Sequence, residues 1–290
     1  MSYMEEVWEK YNQLLEQLRS LGRILVAFSG GVDSSFLLKA AIEGVGVDNV
    51  LAVTADSETY PMREREEAAA LAKDLGARHE IIATSELSIP GYAENPVNRC
   101  YFCKFDLFSH LLPIAKEQGY DAVAFGAIAD DLGDFRPGLQ AAKDKGVYAP
   151  LQDVMLYKKE IRLLSKNMGL STWDKPSLAC LSSRIPYGEK ITKEKLSAVE
   201  QAEMFLTDLG FRQVRVRHHD GLARIEVPPE TMTEVLQYAD LIVTKLKKIG
   251  YRFVSLDLQG YRTGSLNESL AAHQKKTSQA HQSHRETSHV

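Results

Sequence analysis

Arg23-Ile-Leu-Val-Ala-Phe-Ser-Gly-Gly-Val-Asp-Ser-Ser-Phe-Leu-Leu-Lys39 is the stretch that decides the fold. A short apolar run, a turn with two glycines and then a helically periodic run read as strand, loop and helix. Gly30 and Gly31 admit backbone conformations that point successive amides at one spot, and Ser29, Ser34 and Ser35 add hydroxyl donors where the helix begins. Such a spot attracts an anion. The same residues also allow a plain helix-capping turn, with Asp33 and Ser34 as ordinary caps.

The pattern extends outward from there. Val7, Tyr11, Leu14, Leu15 and Leu18 repeat at helical spacing ahead of it, and Gly22 is a stop. After it comes a continuous apolar run at 49–55, typical of a strand covered on both faces, and then a charged helix over 63–75. A strand at 79–83, a loop rich in Pro and Asn through Asn98, a helix over 104–118 and a strand at 121–125 follow. Strand and helix alternate, which specifies an α/β fold with a doubly wound parallel sheet. A further amphipathic helix covers 157–168. From Ile191 the style changes to a smaller α+β domain. Its strands at 213–218, 223–227 and 252–258 alternate apolar and polar residues, leaving one sheet face open to solvent or ligand. The division expected is 1–184, 185–270 and a disordered polar tail over 271–290.

The chain has 290 residues, 44% of them hydrophobic, enough for two cores. Its 35 basic and 39 acidic residues leave a net charge of -4, which argues against a chain whose main task is holding nucleic acid. Only three cysteines are present, with no signal peptide and no apolar run of membrane-spanning length. That combination predicts a cytoplasmic protein with neither a disulfide framework nor a membrane contact.

In a parallel sheet the ligand lies outside the carboxyl ends of the strands, so Asp56, Ser57, Gly126, Asp130, Asp131 and Arg136 should share one crevice. The acidic stretch 129–138 suits metal and nucleotide phosphates, and equally a solvated turn. Cys100-Tyr-Phe-Cys103 stands before a helix, and Cys180 lies far along the chain. A Cys-x-x-Cys pair by itself suits zinc, a redox dithiol or an iron-sulfur cluster. Three thiolates without a fourth ligand nearby argue for a [4Fe-4S] cluster with one open iron; the alternatives are a buried pair beside a free Cys180, or zinc completed by a histidine. Arg215 and Arg217 alternate with Val214 and Val216, so both guanidiniums share one strand face. Two forks on one face make a phosphate site, or else an exposed charged face that Glu226 pairs. His218, His219 and the tail histidines carry no assigned role.

The Gly-Lys-Ser/Thr ending of a Walker-type loop is absent, and Lys39 lies too far into the helix. Ser29-Gly-Gly-Val-Asp-Ser34 instead resembles the signature of the PP-loop ATP pyrophosphatases, which hold the pyrophosphate end of ATP while a substrate oxygen attacks the α-phosphorus. The resemblance implies ATP on Ser29, Gly30, Gly31, Asp33 and Ser34, with Mg2+ bound by Asp33 and the nucleotide site completed by Asp56, Ser57, Gly126, Asp131 and Arg136. Asp134-Phe-Arg-Pro-Gly-Leu139, Ser182-Ser-Arg-Ile-Pro-Tyr-Gly188, Val214-Arg-Val-Arg217, Ala223-Arg-Ile-Glu226 and Leu256-Asp-Leu-Gln-Gly-Tyr-Arg262 narrow the resemblance further. Over residues 10 to 270 the chain is similar to the LarE family, the ATP-dependent sulfurtransferases of nickel-pincer cofactor biosynthesis.

That resemblance implies adenylation of a carboxylate of a pyridinium mononucleotide, after which sulfur displaces AMP and leaves a thiocarboxylate. It places the substrate phosphate on Ser183, Arg184, Arg215 and Arg217, and makes Asp33 and Cys180 the catalytic residues. One branch of the family draws sulfur from its own cysteine, one position further upstream of Ser-Ser-Arg, and lacks the Cys-x-x-Cys pair. Cys100, Cys103 and Cys180 resemble the other branch, in which the open iron of a [4Fe-4S] cluster delivers sulfide. Competing readings are the same reaction with Cys180 sacrificed, a tRNA thiolase, an amide-forming PP-loop ligase, and a nucleotide-binding module without turnover. A homo-oligomer is expected.

Overall fold

The computed structural model describes residues 2–133, 136–177, 179–262 and 264–266. They form two compact units. One holds the residues to Ser85 and those from Cys100 to 177; the other holds Glu86–Arg99 and the residues from Ala179 onward. The boundary expected after residue 184 therefore falls before residue 179, and the loop ahead of Cys100 joins the second unit. The physical reason is bonding: Tyr92, Asn95 and Arg99 are all engaged by the segment 182–189. The tail expectation, 271–290, lies outside the described residues. No helix among the described residues is long and apolar enough to cross a membrane.

The first unit runs α1 (Tyr3–Ser20), β1 (Ile24–Ala27), α2 (Val32–Val45), β2 (Val50–Asp56), α3 (Met62–Asp74), β3 (Arg78–Ala83), α4 (Arg99–Glu117), β4 (Ala122–Phe125), α5 (Pro137–Lys145), α6 (Pro150–Asp153) and α7 (Lys158–Asn167). The four strands are parallel, in the order β3-β2-β1-β4. Successive strand residues face opposite sides, and both sides are apolar. Ile24, Val26, Val50 and Ala52 meet Leu14, Phe36 and Leu37 in one core, while Leu25, Leu51, Val53 and Val123 meet Phe108 and Leu111 in the other. That is the doubly wound α/β sheet the sequence predicts.

Two local readings change. The helix expected from residue 104 begins at Arg99, so Cys100 and Cys103 lie within its first five residues. Beyond β4, the loop closes into α5 at Pro137, whose fixed φ and missing N–H suit a helix start.

The second unit comprises α8 (Lys193–Asp208), β5 (Arg215–His219), β6 (Leu222–Glu226), α9 (Met232–Gln237), α10 (Ala239–Ile249) and β7 (Phe253–Leu256). β6 is central, antiparallel to β5 and parallel to β7. Asp220 and Gly221, at φ 41° and 85°, form the two-residue turn whose twist matches the flanking strands. Leu206, Val216, Ile225, Ile242 and Leu246 fill the core. The single helix expected over 230–249 breaks at Tyr238, which leaves helical geometry and sets its ring edge-on against Phe211.

Phe36 is fully buried in α2 beneath the phosphate-loop turn. Phe36→Ala should lower the unfolding free energy by about 3–5 kcal/mol, read as a reduced denaturant midpoint with an unchanged slope.

Candidate active site

The turn between β1 and α2 is built by close approach. Gly30 sits at φ 62°, and a Cβ there would stand 2.8 Å from the Ala68 Cβ. On the other side, a Cβ at Gly126, just past β4, would meet the Ser34 nitrogen at 3.0 Å and the Asp33 carbonyl carbon at 3.1 Å. Backbone packs on backbone here, which only glycine allows. The Ser34 hydroxyl accepts from the Ser29 N–H at 3.2 Å, lies 3.1 Å from the Ser29 hydroxyl and donates to the Gly31 carbonyl at 3.2 Å. These bonds curl the loop over the start of α2, where unpaired helix N–H groups attract negative charge. Ser35, expected as a further donor, is instead fully buried with no hydrogen-bond partner for its hydroxyl.

Asp33 stands in the first turn of α2, and both its oxygens accept from the Lys158 ammonium at 2.8 Å. Burial pushes the Asp33 carboxyl above its ordinary range; Lys158 opposes the shift and the Asp131 carboxylate adds to it. The backbone N–H of Lys158 is tied to Asp130 at 2.7 Å. Asp131 caps the Ile128 N–H at 3.1 Å and pairs with Arg136, also at 3.1 Å. Asp33, Ser34, Gly126 and Asp131 are thus gathered at the ends of β1 and β4. Asp56 and Ser57, past β2, are committed locally: Asp56 to Arg65, and Ser57 to the Thr59 N–H at 3.3 Å. Asp134 and Phe135 lie outside the described residues.

Two lysines escaped the sequence reading. Lys158 reaches Asp33 across 125 residues of chain. Lys175 contacts the Gly30 carbonyl at 3.2 Å and pairs with Glu64 and Glu67 at 2.7 and 2.8 Å. Neither belongs to a spacing pattern. For Lys158 the available signal was its place at the head of the helix that follows the acidic loop.

In the second unit the expected open face of β5 is closed: Arg215 and Arg217 are each 7% exposed. Arg217 donates to the Ser183 carbonyl, to Glu226 and to Ser265, each at 2.8 Å, and its Nε is buried without a partner. Glu226 is fully buried and also pairs with Arg224 at 2.9 Å. Arg184, read as a phosphate fork, is an internal anchor instead. Its Nε and Nη2 grip Glu203 at 2.9 and 2.8 Å, and its Nη1 reaches the Ala179 and Cys180 carbonyls and the Ser183 hydroxyl. Burial alone would raise Glu203, but Arg184, Arg215 and the Val216 N–H outweigh it and hold the carboxyl low. Arg215 is pushed down to about 10, by burial first and then by the like charge of Arg184.

Cys100 is exposed, Cys103 and Cys180 are half-buried, and none forms a disulfide. Cys100 and Cys103 are three residues apart on one helix and so share a face. An all-sulfur donor set fits an iron-sulfur cluster in kind. Among the described residues, however, no three His, Cys, Asp or Glu side chains stand together as a ready metal site.

A parallel sheet whose first strand runs through a glycine turn into a helix bearing Ser34 and Asp33 defines a PP-loop, ATP-using enzyme. The NAD synthase family model matches residues 4–89. A Lactiplantibacillus plantarum protein, pyridinium-3,5-bisthiocarboxylic acid mononucleotide synthase, is 39% identical over 264 residues, covering 91% of this chain and 96% of that one. An uncharacterized Synechocystis protein is 47% identical over 262 residues, 88% of this chain and 97% of its own, and one from Methanocaldococcus jannaschii is 27% identical over 263 residues, 91% and 100%. The chain belongs to the LarE family of PP-loop enzymes.

Lys158→Ala removes the ammonium that pulls Asp33 down, so the Asp33 carboxyl should rise further. In a carboxyl-13C NMR titration, the Asp33 midpoint of Lys158→Ala should lie at higher pH than that of the wild-type chain.

Proposed function

We propose that this protein is an ATP-dependent sulfur transferase that converts a carboxylate of a pyridinium mononucleotide into a thiocarboxylate during nickel-pincer cofactor assembly. The observation that carries the reading is the 39% identity, over 91% of the chain, to a relative named as synthase of the bisthiocarboxylic acid mononucleotide. The phosphate-loop geometry supports it chemically.

The amides of Gly30 to Ser34 and the start of α2 receive the β- and γ-phosphates. Asp33 fits Mg2+: its anion is disfavoured by burial and by Asp131, so it gains from a cation, and Mg2+ takes one or two carboxylates beside phosphate oxygens. Held by Asp33, such an ion would supply positive charge to the leaving pyrophosphate. A substrate carboxylate oxygen attacks the α-phosphorus, the bond to the β-phosphate breaks, and an acyl adenylate forms. A sulfur nucleophile then attacks the acyl carbon, the carbon–oxygen bond to AMP breaks, and the thiocarboxylate remains. Ser183, Arg215 and Arg217 receive the substrate phosphate. The buried Nε of Arg217 has no partner and is a donor for a phosphate oxygen. Arg184 holds Ser183 in place through its Nη1 at 2.9 Å.

Cys100, Cys103 and Cys180 would be the ligands of a [4Fe-4S] cluster, which would supply the sulfur. The reading that favours it over a sacrificial Cys180 is the all-sulfur set with two thiols on one helix face.

Two measurements decide. With Mg2+·ATP and the carboxylated pyridinium mononucleotide, the protein should release pyrophosphate, and Asp33→Ala should abolish that release without altering thermal unfolding. Absence of release from the wild-type chain overturns the transferase reading. Anaerobically prepared protein should hold about four irons per chain, lost in Cys100→Ala; no iron, with Cys180 losing mass after turnover, makes the cysteine the donor instead.

A further inference from the structure

The carbonyls of the phosphate-loop turn are all taken. That of Ser29 accepts from the Tyr60 hydroxyl at 2.8 Å, and that of Gly30 from the Lys175 ammonium at 3.2 Å. The Gly31 carbonyl accepts from the Ser35 N–H at 2.9 Å and from the Ser34 hydroxyl at 3.2 Å. Among the described residues, by contrast, the N–H groups of Gly30 and Gly31 donate to nothing.

A trans peptide is planar, so its C=O and N–H point opposite ways. Holding the Ser29 carbonyl therefore sets the direction of the Gly30 N–H, and holding the Gly30 carbonyl sets that of the Gly31 N–H. Both donors act from the α3 side of the turn. Tyr60 lies two residues ahead of α3, Lys175 pairs with Glu64 and Glu67 of that helix, and Gly30 packs on Ala68. The two N–H groups are thereby turned away from α3 in succession, the arrangement of a backbone concavity that binds anions. Glycine peptides need such holding, because without a Cβ they rotate at little steric cost.

Neither donor is loose. Burial, followed by the carboxylates of Glu64, Glu67 and Asp56, pushes the Tyr60 hydroxyl up, so it keeps the proton it donates. The Lys175 side chain is 12% exposed, and Arg162 of α7 grips the carbonyls of Trp173 and Lys175 at 2.7 and 2.8 Å.

We propose that Tyr60 and Lys175 are positioning residues that aim the amides of Gly30 and Gly31 at the β- and γ-phosphates by holding the carbonyls of Ser29 and Gly30 from behind. The inference rests on the reading that this loop receives those phosphates.

Tyr60→Phe removes one oxygen and no charge. Equilibrium binding to the full-length chain is compared for a non-hydrolysable ATP analogue with Mg2+ and for AMP, which lacks the β- and γ-phosphates. The analogue should bind Tyr60→Phe about fivefold more weakly than the wild type, while AMP affinity stays the same. Equal analogue affinity overturns the proposal, and so does an equal loss for AMP, which marks a merely structural role. A wild type that does not bind the analogue overturns the phosphate-loop reading itself. Should Tyr60→Phe fail to fold, Lys175→Met carries the same comparison: weakened analogue with unchanged AMP supports the proposal, and equal analogue affinity overturns it.

Discussion

The approach of Gly126 to the backbone of Asp33 and Ser34 is the constraint on which the first unit depends. With 3.0 Å between a would-be Cβ and the Ser34 nitrogen, the end of β4 and the start of α2 are stacked as closely as peptide groups allow. That closeness lets the Asp33 side chain and the carboxylates past β4 act on one another, and it opens the helix N-terminus at the rim of the sheet. The parallel order β3-β2-β1-β4 does the rest, by putting β1 and β4 side by side although nearly one hundred residues of chain separate them.

Charge is managed differently in the two units. Around the phosphate loop a carboxylate that dislikes its burial is offset by one lysine. Around Arg184, Arg215 and Arg217, guanidiniums and carboxylates are buried together, with Glu203 and Glu226 each shared by more than one partner. Buried pairs of this kind add little net stability, because desolvation offsets much of the attraction, but removing one member leaves a stranded charge. They hold geometry rather than free energy.

Much of this was legible in the sequence for a physical reason. Hydrophobic periodicity and glycine placement are local, so the sheet, the phosphate loop and Asp33 could be read directly. The gathering of Gly126 and Asp131 followed from topology. Lys158 and Lys175 were not legible, because their partners are chosen by the fold and no local pattern marks them. Arg184 was misjudged for a related reason: its chemistry is that of a phosphate fork, and only the presence of Glu203, 19 residues on, shows that the fork is already occupied. The open face expected of β5 failed likewise, since alternation shows which residues share a face but not what later covers it.

The bonds from Asn95 to the segment 182–189 also bear on the order in which the molecule can assemble. Every strand of the first sheet lies within the first 125 residues, so that unit's central framework is available early in synthesis. The loop 86–99 must wait, because its partners stand about 90 residues downstream. Closing so long a loop costs little more free energy than closing a short one, yet it delays the contact. Until the segment 185–189 has been made, Asn95 lacks the three carbonyls it binds there, and a buried amide must wait in water for its partners.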